Sequence, residues 1–247
     1  MQKTSFSVLV IGDSCVDEYR FGSVKRQNPE APVPLFTNTR SESRFGMAIN
    51  VANNLQAFGA EVSIDAPQPE SRKIRYIDER SQRQMFRVDH DVRAEPYAIK
   101  HVYPFDAIVV SDYNKGFVGE GLVEQLSQTF GGPIFVDTKK TTLTNAQNVF
   151  YKVNSVEFDR LQNTVPNLVV THGEKGCTYQ GEVYPSYQTR VVDVCGAGDV
   201  FLAALTVGFL RYKSMSAALH LANRCAAMSC QYLGSYTLTS EDVKCVF

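Results

Sequence analysis

One pattern recurs along this chain and constrains it more than any other: a short apolar run, rich in β-branched residues, that stops at a polar or acidic one. Ser7-Val8-Leu9-Val10-Ile11 leads into Gly12-Asp13, Ile108-Val109-Val110 into Ser111-Asp112, and Ile134-Phe135-Val136 into Asp137. Val149 to Val153 leads into Asn154, and Leu168-Val169-Val170 into Thr171. Continuous apolar runs suit strands buried on both faces, as in a parallel sheet covered by helices. Segments of helical period lie between them: 46–59, with Met47, Val51, Leu55 and Phe58 on one stripe and Gly59 as the stop, then about 119–130, 197–212 and 215–232. A strand over 61–66 and a hairpin of 177–179 with 182–185 through Gln180-Gly181 complete the set. The alternation predicts an α/β fold, a doubly wound and mainly parallel sheet with ligand groups beyond the carboxyl ends of the strands.

Two stretches break that rhythm. Residues 18–45 alternate basic and hydrophobic residues, and Asn28-Pro29-Glu30-Ala31-Pro32-Val33-Pro34 is too rich in proline for a central strand. Residues 72–89 read as two alternating strands about a polar turn and carry Arg72, Lys73, Arg75, Arg80, Arg83 and Arg87. Both are expected to form a small β flap over a single domain spanning 1–247. Such a concentration of cations is ordinarily a solvated strand face, and it also suits a flap that holds an anionic substrate.

The stretch Val191-Val192-Asp193-Val194-Cys195-Gly196-Ala197-Gly198-Asp199 joins a β-branched run to an apolar helix through a turn almost free of side chains. Amide N–H groups in such a turn approach a ligand closely and lie at the positive end of the helix. Asp199 is the first ionisable group above that anion site, placed to take a proton from an attacking hydroxyl. An acidic first helical turn alone has the same appearance.

Charge and composition narrow the partners. A formal net charge of −1 gives no electrostatic support to a nucleic-acid or anionic-membrane partner. The apolar run at 6–11 is too short to cross a membrane and is followed by Gly-Asp, so no leader or anchor is read. Six cysteines without a C-x-x-C pair favour reduced thiols and a cytoplasmic protein. Four histidines include no metal-binding spacing.

Across nearly its whole length the chain resembles the ribokinase-like (PfkB) carbohydrate kinases. The residues that carry the resemblance are Val10-Ile11-Gly12-Asp13 with Asp17, Pro29-Glu30-Ala31-Pro32-Val33-Pro34, Gly46 with Asn50-Val51-Ala52, Val110-Ser111-Asp112-Tyr113 with Lys115-Gly116, and Asp193 with Gly196-Ala197-Gly198-Asp199. The last is the family's most specific signature. The proline-rich stretch and the Ser-Asp-Tyr-x-Lys-Gly run look like the heptose-7-phosphate kinase subgroup of lipopolysaccharide-core biosynthesis.

The resemblance implies an ATP- and Mg²⁺-dependent sugar kinase, with Asp199 as general base and the amides of Gly196, Ala197 and Gly198 as the anion hole. It implies sugar contacts from Asp17, Gly46 and Asn50, with Asp112 and Lys115 also facing the substrate. Asn154 and Glu157 match an N-x-x-E pattern that organises Mg²⁺ and phosphate, Glu157 reaching the metal through water; a helix capping box has the same spacing. Thr171, Gly173 and Gly176 match the nucleotide-side loop, Asn223 an asparagine near the adenine, and Lys139 a phosphate-binding lysine. A monovalent cation (K⁺) and a homodimer formed through the flap strands are further implications.

Several positions depart from the family pattern. Phe45-Gly46 replaces a glycine pair, Cys195 a threonine beside the cation loop, and Val153 and Thr138 two prolines. A strand-helix-strand segment is missing after 62–66, where Pro67 to Ser71 bridges to the flap, and its loss is expected to bare a sheet edge. No counterpart of the nucleotidyltransferase domain fused to many relatives is expected within these 247 residues. A PfkB-type kinase of another sugar and a degenerate sugar- or nucleotide-binding protein are the alternatives these departures raise.

Overall fold

The computed structural model describes residues 5–68, 70–100 and 104–247. The elements follow in the order β1 (Ser7–Gly12), β2 (Ser14–Gln27), β3 (Pro34–Met47), α1 (Ala48–Ala57), β4 (Glu61–Asp65), β5 (Arg72–Asp78), β6 (Arg83–His90) and β7 (Ala107–Asp112). Then come α2 (Leu122–Thr129), β8 (Ile134–Thr138), β9 (Val149–Asn154), α3 (Ser155–Phe158), β10 (Leu168–Thr171), β11 (Cys177–Tyr179), β12 (Glu182–Tyr184), α4 (Ala197–Tyr212), α5 (Met215–Ser229) and α6 (Ser240–Val246).

The apolar runs form the expected sheet, in the order β12-β11-β10-β9-β8-β7-β1-β4. Pairing is parallel from β10 through β4 and antiparallel at the β11–β12 hairpin. Successive side chains of a strand point to opposite faces, so each apolar run feeds two cores. Val8, Val10, Val109 and Phe135 pack against α1, α4 and α5 on one side. Leu9, Ile11, Ile108, Val110 and Ile134 pack against α2 and the flanking loops on the other. Nearly every residue from Asp199 to Leu210 of α4 is buried, so the helix that begins at the glycine turn is rigidly held.

A second sheet, in the order β3-β2-β5-β6, covers one end of the first. Its strands are long: β2 and β3 run 14 residues each. Pro34 opens β3, an edge strand, where a missing amide costs no ladder bond. Only Asp13 separates β1 from β2, so Asp17 lies on a flap strand and not in the turn that follows β1. Tyr19, Phe21 and Ile77 form a small core that packs on Leu233 of the main body and seals flap to body.

Two boundaries differ from the helical pattern. Gly46 and Met47 finish β3, and α1 starts at Ala48; the reversal is made by a buried Met47 at φ +58, a conformation unfavourable for a bulky side chain. The chain also ends in α6, capped by Thr239 and Asp242. Its Thr-Ser-Glu-Asp start is a legible capping signal that the apolar periodicity did not point to. β4 is the outermost strand of the large sheet, with Ile64 42% exposed, so a free edge lies next to the shortened 67–71 connection.

Candidate active site

The glycine turn and the helix it opens set the centre of the site. Gly196 sits at φ +76, a left-handed conformation that favours glycine, immediately before α4. The Ala197 amide turns back to Val194 O (3.3 Å), whereas the Gly196 and Gly198 amides meet no acceptor among the described residues. Asp193 closes the loop, accepting from Cys195 N (3.0 Å) and Gly234 N (2.9 Å). A Cβ on Gly198 would lie 2.8 Å from Lys152 Nζ, so the glycine leaves room for an ammonium directly beside the turn.

Asp199 is 3% exposed and held by two donors. Asn50 Nδ2 donates to one oxygen and the Tyr113 hydroxyl to the other, both at 2.9 Å. Burial pushes the carboxyl up to about 6, and Asp137 adds to the rise; the Asn50 and Tyr113 hydrogen bonds and the Lys152 charge act the other way. That value suits a base that is ionised at neutral pH and can still accept a proton. Asn50 is itself fixed, because Asn54 Nδ2 donates to its carbonyl (2.9 Å) and Asn54 Oδ1 accepts from Leu238 N (2.9 Å).

Two lysines lie close to the Asp199 group, Lys152 of β9 and Lys139 just past β8. Lys152 Nζ is 2.6 Å from Asp137 Oδ2, and both side chains are almost wholly buried. Burial would raise the Asp137 carboxyl, but Lys152 and Lys139 together hold it below the ordinary range. Lys139 reaches Asp137 (3.4 Å), pairs with Glu157, and lies over the Tyr113 ring, 5.0 Å from its centroid. The Asn154–Glu157 pattern forms the capping box of α3: Asn154 N donates to Glu157 Oε2 (2.8 Å) and Glu157 N to Asn154 Oδ1 (2.9 Å). Lys152, Asp137, Tyr113 and Asn54 had not been singled out as site residues. Asp137 is marked in the sequence by its place at the end of an apolar run, whereas Lys152 lies inside one and carries no local signal.

On the flap side, Asp17 pairs with Arg75 (3.1 Å) and accepts from Ser235 Oγ (3.0 Å). A Cβ on Gly46 would fall 2.4 Å from Asp17 Oδ2, which accounts for the glycine. Phe45 is the next residue along a pleated strand and so leaves the opposite face of the flap, where it is 52% exposed.

Other singled-out residues occupy supporting places. Asp112 accepts from Thr138 Oγ1 (2.7 Å) and Asn114 N (2.9 Å) and pairs with Lys140 (3.5 Å), while Lys115 pairs with Asp91. Neither side chain touches the Asp199 group. Asp13 accepts from the amides of Tyr113, Lys115 and Phe117 and thereby shapes the loop that presents Tyr113. Thr171 Oγ1 donates to Val153 O (3.3 Å), and Gly173 opens a short turn at φ +59. A Cβ on Gly176 would meet Tyr184 O at 2.1 Å, and Asn223 Nδ2 donates to that carbonyl (3.0 Å). Gly176 and Asn223 thus pin the same 184–186 segment from two sides.

Comparison with known proteins bears on the fold and the class of the chain. A model described as "pfkB family carbohydrate kinase" matches residues 144–242. The D-beta-D-heptose 7-phosphate kinase of Bordetella bronchiseptica is 29% identical, with 96% of this chain and 94% of that protein covered. The bifunctional protein HldE of Nitratiruptor sp. is 28% identical over 297 positions, 96% of this chain and 64% of the relative. The chain thus spans less than two thirds of the bifunctional relatives' length. Ribokinase from Thermotoga maritima superposes with a TM-score of 0.70 at 16% identity, covering 98% and 99% of the two chains, which shows the shared fold. The chain has a ribokinase-like fold and is similar to the pfkB family of carbohydrate kinases, whose model matches residues 144–242. Over nearly its whole length it is similar to a D-beta-D-heptose 7-phosphate kinase and to a bifunctional protein HldE.

Proposed function

We propose that the protein transfers the γ-phosphoryl group of ATP to a hydroxyl of heptose 7-phosphate, giving the 1,7-bisphosphate. The observation that carries this reading is Asp199, a buried carboxylate at about 6, held by Asn50 and Tyr113 beside a bare glycine turn and Lys152. Asp199 takes the acceptor hydroxyl's proton as its oxygen bonds to the γ-phosphorus, and the bond to ADP breaks. The Gly196 and Gly198 amides and the Lys152 and Lys139 ammoniums hold the negative charge of the moving group. Asp17, Gly46 and Asn50 hold the sugar, and the loop from Thr171 to Gly176 holds the nucleotide.

Among the described residues no trio of metal-binding side chains exists. Both Glu157 oxygens already have partners in Lys139 and the Asn154 amide. This fits a hydrated Mg²⁺ carried mainly by phosphate oxygens, with Glu157 reaching it through water. When bound, that ion neutralises phosphate charge. The same reading includes K⁺ activation at the loop containing Cys195 and a homodimer through the flap, whose Tyr76 ring stacks on Phe86 and meets Phe36 edge to face. It also includes a cytoplasmic location, where ATP and sugar phosphates are found.

The test is ADP release from ATP with a panel of sugars and sugar phosphates. Heptose 7-phosphate is expected to have the highest kcat/KM. Preference for an unphosphorylated sugar would move the assignment to another kinase of the family, and no turnover with any sugar would leave only a binding role.

A further inference from the structure

The cations of the large sheet beside Asp199 are all paired, as is Arg75 of the flap: Lys152 with Asp137, Lys139 with Asp137 and Glu157, Arg75 with Asp17. Lys73 on β5 differs. It is half-buried and has no acidic partner among the described residues; its ammonium lies over the Tyr113 ring, 5.1 Å from the centroid. Tyr113 is the residue whose hydroxyl holds Asp199.

The strand register explains why Lys73 is left over. Its cross-strand neighbours on the same face are Asp17 of β2 and Asp89 of β6, both acidic. Asp17 is taken by Arg75 and Ser235. Asp89 is taken by both nitrogens of an Arg87 fork, at 2.7 and 2.8 Å. A planar guanidinium matches a carboxylate better than an ammonium does, so both acids go to arginine. Lys73 keeps a positive charge that has lost part of its hydration and has only a ring face in return.

We propose that Lys73 is a specificity-determining residue that binds the phosphate monoester of the acceptor. The inference rests on the reading above that the acceptor is a sugar phosphate. The transferring group is already served from the large sheet by Lys152, Lys139 and the glycine-turn amides. Lys73 comes from the flap, on the same face as Asp17, where the sugar lies. A dianion there completes the half-made ion pairing, and an unphosphorylated sugar would leave the ammonium unpaired, which gives discrimination as well as affinity.

Lys73→Met tests this, because it keeps an unbranched stem over Tyr113, removes the charge and breaks no ion pair. Steady-state kinetics would be run with heptose 7-phosphate, unphosphorylated heptose and ATP, alongside calorimetric titration of heptose 7-phosphate without nucleotide. KM for heptose 7-phosphate and its calorimetric Kd should rise roughly 10- to 100-fold. KM for ATP and the melting temperature should stay near wild type, and the preference for heptose 7-phosphate over unphosphorylated heptose should fall by at least the same factor. Lys73→Arg should recover part of the loss. An unchanged KM and Kd in a wild type that uses heptose 7-phosphate would overturn the Lys73 assignment alone. A rise confined to KM for ATP would also overturn it, giving Lys73 to the γ-phosphoryl group. A wild type that prefers unphosphorylated heptose would overturn the acceptor reading and Lys73 with it. Should the wild type turn over nothing, calorimetry still decides: loss of heptose 7-phosphate binding in the variant supports the assignment, and absence of binding to wild type ends it.

Discussion

The large sheet and the flap present charge to the same cleft in opposite ways. On the large sheet the cations are buried and closed into pairs: Lys152 and Asp137 are each about 5% exposed or less and 2.6 Å apart. On the flap the acids go to arginines and Lys73 is left open. Closed charge gives a fixed field, suited to a group handled identically at every turnover. Open charge is satisfied only by a ligand that brings its own, and so can choose among ligands. On the proposed reading, the phosphoryl site is preorganised by the body of the protein and acceptor choice belongs to the flap.

The largest expected effect is at Asp199, which both regions face. Asp199→Asn should lower kcat by about 10²- to 10⁴-fold, measured with saturating substrates. In the wild type kcat/KM should rise with pH through about 6 as Asp199 loses its proton, and level above it. Stability should run the other way. The folded carboxyl binds its proton more tightly than the unfolded one, so this contribution is full below about 3.8 and is lost as pH rises to about 6. The loss is on the order of 3 kcal/mol. Asp199→Asn should remove that slope from denaturant unfolding curves taken between pH 4 and 7; an unchanged slope would mean that Asp199 is not buried as a carboxylate.

Next in size is the contrast between two lysines. Lys152→Met strips a buried carboxylate of its closest partner and should cost about 3 kcal/mol of stability, besides damaging catalysis. Lys73→Met should cost less than about 1 kcal/mol, since no pair is broken. Equal losses in the two variants, read by urea unfolding, would erase the distinction between closed and open charge. Asn54→Ala follows. It removes the amide that steadies Asn50 and leaves Leu238 N without an acceptor in a buried place, costing about 1–3 kcal/mol. The Asn50 contact to Asp199 should loosen with it, lowering kcat more than it raises KM for ATP.

Why some of this could be read in advance and some not follows from how each part is specified. A strand buried on both faces must be apolar along its length, so β1, β7, β8, β9 and β10 announce themselves, and the polar residues at their ends mark the cleft. The glycine turn and Asp199 form a contiguous motif and are equally legible. Lys152 sits inside an apolar run and meets Asp137 only through the β8–β9 pairing, and Lys73 is one of several cations in a basic strand. Their roles depend on which acids remain free after folding, and no local pattern records that. Asn154 and Glu157 illustrate the converse: one spacing makes a capping box here and also matches the phosphate-side pattern that the resemblance implies.

Phe45 is where the pleat decides against a simple substitution argument, and it carries the smallest expected effect. In sequence it replaces the first of two glycines beside the sugar, which suggests a blocked pocket. In the flap, Gly46 lies opposite Cys15 and Arg44 opposite Asp17, on the inner face, and Phe45 lies opposite Val16 on the outer one. Gly46, whose added Cβ would strike Asp17, is the position on which the proposed sugar contact depends. Phe45→Gly should therefore change KM for the acceptor by less than about 3-fold, while Gly46→Ala should raise it by at least about 10-fold by displacing Asp17. If the two variants behaved alike in acceptor kinetics, the inner face would not be where the sugar binds, and the division of labour between flap and body would fall with it.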